Sequence, residues 1–292
     1  PEAPVPVFEA KKRENRLGGA ANVALNIQAL GATPILCGII GNDVKGKVFN
    51  EVLENQDLSA EGIIQSDERL TTCKTRIISS SHHMLRVDEE VLEPISEVDS
   101  KDLINRVKNI ISTKKIDVVI FEDYDKGLLN ADNIQAIVHL LNEKKIPSCV
   151  DPKKDNFQNY QGTTLFKPNF KEFTSGLKED IEKGDIKSLM EHAEKFSKSN
   201  NIENVMVTLS EHGVMLYNPK IQSHIPAEIR NISDVSGAGD TVISTAALAF
   251  SQGVRGKELV TLSNLAGGLV CEEVGVVPIN KERLKTEFLK RT

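Results

Sequence analysis

Apolar positions along the chain recur with two periods. From Gly18, the run Ala-Ala-Asn-Val-Ala-Leu-Asn-Ile-Gln-Ala-Leu repeats like one buried helix face, and Gly31 stops it as a C-cap. A short apolar run over 34–40 ends at Gly41. From 117 onward the two patterns alternate. Strands are predicted over 117–121, 147–150, 164–167 and 204–209, and helices over 130–144, 169–177 and 186–199. A β excursion follows at 214–217 and 223–226, and helices over about 238–252, 256–273 and 280–290 close the chain. Such alternation predicts an α/β fold with a mostly parallel central sheet and helices on both faces. Ligands of such sheets sit off the carboxyl ends of the strands. Residues 72–88 differ, reading as two exposed strands about a polar turn. The segment 1–16 carries Pro1, Pro4 and Pro6 and is poor as a central strand. Together these predict a small β-lid, built from 1–16 and 72–88, projecting from a core over 17–292.

Composition narrows the function classes. At 292 residues, 39% hydrophobic and 27% charged, the chain is ordinary for a globular protein. A net charge of −6 without a long basic run argues against nucleic acid as partner, but leaves room for a phosphorylated small molecule. No apolar stretch approaches the ~20 residues of a membrane helix. No signal peptide opens the chain, and Cys37, Cys73, Cys149 and Cys271 are spaced without a C-x-x-C pair. The expectation is a cytoplasmic protein with reduced, mostly buried thiols.

The chemistry is concentrated in Asp234-Val-Ser-Gly-Ala-Gly-Asp240, which leads directly into an apolar helix. Gly237, Ala238 and Gly239 leave bare amides at a helix start, where unpaired N–H groups and the helix dipole favour an anion. A carboxylate there, Asp240, suits proton abstraction from a hydroxyl that attacks a phosphate. The same string also fits a turn with an N-capping Asp. Gly41-Asn-Asp-Val-Lys-Gly46-Lys47 imitates a P-loop, but Val48 replaces the metal-binding hydroxyl. Gly18-Gly19 precedes a helix carrying Asn22 and Asn26 on one face, a pattern open to ligand contact or to packing. Asn169 and Glu172 fit a capping box, or a hold on hydrated Mg²⁺ through Glu172. Lys126 and Lys153 follow strand ends, where either could meet a phosphate. His82 and His83 lack partners at metal spacing and read as surface residues.

These residues resemble the PfkB, or ribokinase-like, family of carbohydrate kinases, from about Arg16 to Val277. The resemblance rests on Gly18-Gly19-Ala-Ala-Asn22 and the 234–240 heptad. Asn169-x-x-Glu172, Thr208-Leu-Ser-Glu-His-Gly213, Asn264 and Gly41-x-Asp43-x-x-Gly46 fall in the family's order. Within the family the chain most resembles D-glycero-D-manno-heptose 7-phosphate kinases. Pro1-Glu-Ala-Pro-Val-Pro-Val7, Met84-Leu-Arg-Val-Asp-Glu89 and Asp123-Tyr-x-Lys-Gly127 carry that likeness. The resemblance implies a three-layer ribokinase-like fold, ATP and Mg²⁺, a K⁺ ion as a further option, and a homodimer joined through the lid. It implies Asp240 as base, and Gly237, Ala238 and Gly239 as anion hole. Gly18, Gly19, Asn22, Arg86 and Lys126 would meet the sugar phosphate, and Lys153, Asn169, Thr208, Gly213 and Asn264 the nucleotide. Glu172 would hold Mg²⁺ through water. It also implies a first strand and a sugar-contacting Asp ahead of Pro1. Phosphorylation of ribose, fructose or a nucleoside, and non-catalytic binding of sugar or nucleotide, are the alternatives.

Overall fold

Residues 9–79 and 82–291 are described by a computed structural model. The first third holds α1 (Ala20–Ala29), β1 (Ile35–Gly41), α2 (Val44–Glu54), β2 (Ser59–Ser66), β3 (Cys73–Ser79), β4 (His82–Glu89) and α3 (Glu97–Thr113). Next come β5 (Val119–Glu122), α4 (Ala131–Lys144), β6 (Ser148–Asp151), β7 (Leu165–Phe166), α5 (Phe170–Leu177), α6 (Ile186–Asn200) and β8 (Asn204–Thr208). The chain then forms β9 (Val214–Tyr217), β10 (Gln222–Ile225), α7 (Ala238–Ser251), α8 (Gly256–Val270) and α9 (Lys281–Leu289).

Six strands form one sheet in the order β10-β9-β8-β7-β6-β5, parallel from β5 to β8 and antiparallel from β8 to β10. β1 and β2 form a separate parallel pair. Both sheets share a core: Ile64 of β2 lies in one cluster with Phe121 of β5, and Cys37 and Ile39 of β1 pack against it. β6, β7 and β9 are buried throughout, whereas Val119 and Ile120 of β5 and Ile35, Leu36 and Ile39 of β1 stay half-buried. Each of these two strands has one edge unpaired among the described residues.

Periodicity left 42–71 and 89–116 unassigned, and α2, β2 and α3 lie there. Asp43 caps α2 by accepting from the Gly46 amide at 2.7 Å and the Thr71 amide at 2.8 Å. A Cβ on Gly46 would meet the Gly41 carbonyl at 2.2 Å, so the apparent P-loop is a tight strand-to-helix corner filled by its own carboxylate. β3 and β4 form a two-stranded antiparallel hairpin. The expectation of a strand within 1–16 is corrected for 9–16, which run as coil, and 1–8 lie outside the described residues. Their charged sequence, with no apolar alternation, explains the coil. The side chains of His82 and His83 also lie outside the described ones. Of the four cysteines, only Cys149 is fully buried.

α5 matters because it carries Asn169 and Glu172. Phe173, fully buried, anchors it against Phe196, with ring centroids 6.2 Å apart. Truncating such a ring costs about 3–5 kcal/mol. The helix start is therefore held at the end of β7 by packing behind it.

Candidate active site

Asp240 sits in the first turn of α7. Gly237 precedes the helix with φ 80°, a conformation that suits glycine. A Cβ there would also press within 3.2 Å of Asn22 Nδ2, which donates to Asp240 Oδ2 at 2.6 Å. Gly237 thus lets a buried asparagine from α1 reach the carboxylate. Tyr124 Oη donates to the other oxygen, Oδ1, at 3.3 Å. Burial raises the pKa of Asp240. The Asn22 hydrogen bond opposes the rise, the Asp151 charge adds to it, and Lys167 and Tyr124 oppose it. The Gly239 and Asp240 amides lie where the helix supplies no acceptor. The Ala238 amide, expected in the anion hole, instead donates to the Val235 carbonyl at 3.3 Å.

Three strand ends converge on this point. Glu122 closes β5 and Asp151 closes β6, and the two are register partners. Lys167 follows β7, only 2% exposed, with Nζ 2.7 Å from Asp151 Oδ2. A Cβ on Gly239 would lie 3.7 Å from both Asp151 Oδ2 and Lys167 Nζ, placing the ion pair directly below the glycine turn. Glu122 Oε2 and Asp151 Oδ1 are buried without a hydrogen-bond partner among the described residues. Burial, then the charges of Asp151 and Asp240, push the Glu122 carboxyl well above the usual range. Two cations and three carboxylates in one cleft form the electrostatic pattern of a reacting site.

Lys153 reaches Glu172 at 2.5 Å and stands 5.8 Å from the centre of the Tyr124 ring. Burial pulls its pKa down, but Asp151 and Glu172 more than reverse this, so it stays charged. Glu172 is also spent locally: its Oε2 accepts from the Asn169 amide at 2.8 Å, and Asn169 Oδ1 accepts from the Glu172 amide at 2.9 Å. The capping box is therefore formed. Glu172 still presents a hard oxygen donor beside Lys153. No group of three or more His, Cys, Asp or Glu residues able to hold a metal occurs among the described residues. One carboxylate fits a hydrated Mg²⁺ that is shared with phosphates, and does not fit a protein-only cage.

The other expected residues fall in three places. Gly19, with φ 56°, starts α1 against Tyr124, and a Cβ would lie 3.5 Å from that ring, while a Cβ on Gly18 would meet nothing within 4 Å. Thr208 bridges Asn169 at the end of β8. Gly213 permits a backbone crossing, since a Cβ would meet the Ile225 carbonyl at 2.0 Å, and Asn264 donates to the Pro226 carbonyl at 3.0 Å. On the hairpin side, Lys126 pairs with Glu90 at 2.7 Å and Arg86 with Asp88 at 3.1 Å. For Asn26 the packing reading holds: it is a core tie. Fully buried, it accepts from Thr241 and the Ile279 amide and donates to the Asn22 carbonyl.

Sequence reasoning missed Glu122, Tyr124, Asp151 and Lys167. The available signal was position: the last residue of a parallel strand, or the one after it, borders the ligand cleft.

An α/β sheet with a carboxylate-bearing helix start facing lysines at its strand ends defines a phosphoryl-transfer class of site. The chain belongs to the pfkB family of carbohydrate kinases, whose description matches residues 2–283. Its curated relatives include the bifunctional protein HldE of Sulfurimonas denitrificans, 35% identical over 280 residues, covering 96% of this chain and 58% of that protein. HldE of Haemophilus ducreyi is 36% identical over 292 residues, covering 100% and 59%. The chain thus spans about three-fifths of the length of these relatives. Among solved structures, phosphofructokinase-2 from Escherichia coli in complex with potassium superposes with TM-score 0.79 at 15% identity, covering 98% of this chain and 93% of that one. Ribokinase from Thermotoga maritima gives 0.70 at 20%, covering 98% and 91%. The fold is ribokinase-like. No helix among the described residues is long and apolar enough to cross a membrane.

Proposed function

We propose that the chain transfers the γ-phosphoryl group of ATP to the anomeric 1-hydroxyl of D-glycero-D-manno-heptose 7-phosphate, forming the 1,7-bisphosphate for ADP-heptose and lipopolysaccharide core synthesis. One observation carries the phosphoryl-transfer reading: Asp240 is half-buried at a helix start, with one oxygen fixed by Asn22 and the other on the open side. The hydroxyl proton passes to Asp240 Oδ1 as its oxygen bonds to the γ-phosphorus and the bond to the ADP oxygen breaks. The Gly237 and Gly239 amides and Lys153 stabilise charge on the transferring group. Glu172 would hold a hydrated Mg²⁺ through water, and that ion would supply neutralisation of phosphate charge. Asn169, Thr208, Gly213 and Asn264 border the nucleotide.

The heptose phosphate follows from the motif resemblance and the HldE relatives. The hairpin adds support. Arg76 and Arg86 are directly opposed in register, hence on one face. Asp88, on the same face, pairs with Arg86 and offsets one of the two guanidiniums, and a distal sugar phosphate would offset the second. Gly18, Gly19, Asn22 and Lys126 complete the sugar side. The other hairpin face exposes Leu85 at 49% and Val87 at 43%, which suits pairing with a second copy. Turnover on sugars with and without a distal phosphate tests the substrate. Preference for the heptose 7-phosphate supports the reading, and equal or better turnover on ribose, fructose or a nucleoside replaces it.

The sheet is also completed in this reading. A parallel strand ahead of α1 would pair with the free edge of β5. Val119 and Asp123 donate to β6, so the Ile120 amide faces that free edge. Hydrogen exchange at Ile120 should slow in a chain carrying residues ahead of Pro1. Equal exchange with and without them rejects the added strand.

A further inference from the structure

Asp240 is faced by charged or polar groups from each neighbouring element. Glu122 and Tyr124 approach from the end of β5, Asp151 from β6, Lys167 from the residue after β7, and Asn22 from α1. Two carboxylates and burial oppose its ionisation. Asn22 is buried at 2% exposure and occupies Oδ2. Oδ1, the oxygen left for a substrate proton, has Tyr124 as its protein donor.

The Tyr124 ring is held on two sides. Gly19 lies beneath it, close enough that a Cβ there would touch the ring at 3.5 Å, and Lys153 stands over it at 5.8 Å. Burial, then the negative charge of Asp240 and Glu122, hold the phenol well above its usual pKa, so it remains a donor. The loop beyond turns sharply, with Asp125 at φ 49° and Gly127 at φ 73°, and Tyr124 reaches α7 through its bond to Asp240. Tyr124 keeps 37% exposure, so it lies at the open side of the cleft.

We propose that Tyr124 is a positioning residue for phosphoryl transfer: its hydroxyl keeps the Oδ1 side of Asp240 ionised and aimed at the acceptor hydroxyl, and its ring walls the acceptor subsite between Gly19 and Lys153. This rests on the reading of Asp240 as base. A base must be charged before it can take a proton, and hydrogen bonds to the charged form maintain that state where burial opposes it. A phenylalanine keeps the ring and removes the donor.

The test is the pH dependence of kcat/KM for wild type, Tyr124→Phe and Asp240→Asn, each normalised to its alkaline plateau, with melting temperatures as folding controls. The profile of kcat/KM reports free enzyme and free substrates. Substrate phosphates titrate identically for each variant, so any difference belongs to the protein. For Tyr124→Phe the acid limb should move up by about 0.5 to 1 pH unit, a three- to tenfold relative loss on the acid side. A Tyr124→Phe limb superimposing on wild type, with Asp240→Asn inactive, overturns the role of Tyr124 alone. Turnover by Asp240→Asn with a wild-type profile overturns the base assignment and the proposal with it.

Discussion

Replacing Lys167 by methionine keeps the length of the side chain and removes its charge. The ammonium lies 2.7 Å from Asp151 Oδ2, and the two side chains are 2% and 6% exposed. Removing one partner of so buried a pair leaves an uncompensated charge and costs about 3–5 kcal/mol. The residual carboxylate faces Glu122 and Asp240, but Lys153 Nζ remains 3.5 Å from Asp151 Oδ1 and offsets part of its charge, so the lower part of that range applies. Against a typical total stability of about 5–15 kcal/mol, the loss is large. It corresponds to a fall in melting temperature on the order of 10 °C for a chain of this size. Urea unfolding of Lys167→Met should show a lower midpoint at pH 8. Adding Asp151→Asn should recover part of the loss, because the charge facing the missing ammonium goes with it. A deficit below about 1 kcal/mol, or one unchanged by the second substitution, refutes the idea that this pair neutralises the floor of the cleft.

Glu122→Gln should stabilise the protein at neutral pH. The folded pKa of Glu122 is raised, so its stabilising effect is full below the ordinary value of 4.5 and is lost as pH rises toward the folded value. In that window wild type should lose up to about 1.4 kcal/mol per pH unit relative to the variant, and parallel unfolding midpoints from pH 4.5 to 8 would contradict this. Gly239→Ala should fold normally, since its Cβ meets only ordinary contacts at 3.7 Å, yet ATP turnover should drop because the phosphate needs close backbone approach. Full activity in that alanine variant, read from ATP-dependent kinetics, would leave the glycine without a ligand role.

Much of the layered fold was legible because its strands and helices carry clean periods. β6, β8, α4 and α6 bury one face or both, and the apolar residues announce it. α3 escaped notice although Ser96 caps it and Leu103, Val107, Ile110 and Ile111 line its buried face. Its remaining positions are so charged that the stripe is diluted. α2 was hidden by a loop whose spacing imitates a phosphate cradle. At the site, Asp240 was readable from a local string because a helix start is a local object. Glu122, Asp151, Lys167 and Tyr124 were not, because their meaning arises only when three parallel strands end side by side. Asn26, on the helix face of Asn22, was open to ligand contact or packing, and its bonds to α7 and the Ile279 segment make it a core tie.

The role of Asp240 is tested most directly by single-turnover and steady-state kinetics of Asp240→Asn beside equilibrium binding of ATP. With the base removed and the amide still able to accept from Asn22 or Tyr124, ATP should bind near normally. Phosphoryl transfer should fall by about 10²–10⁴. Turnover close to wild type would contradict the assignment of Asp240 as the group that takes the proton.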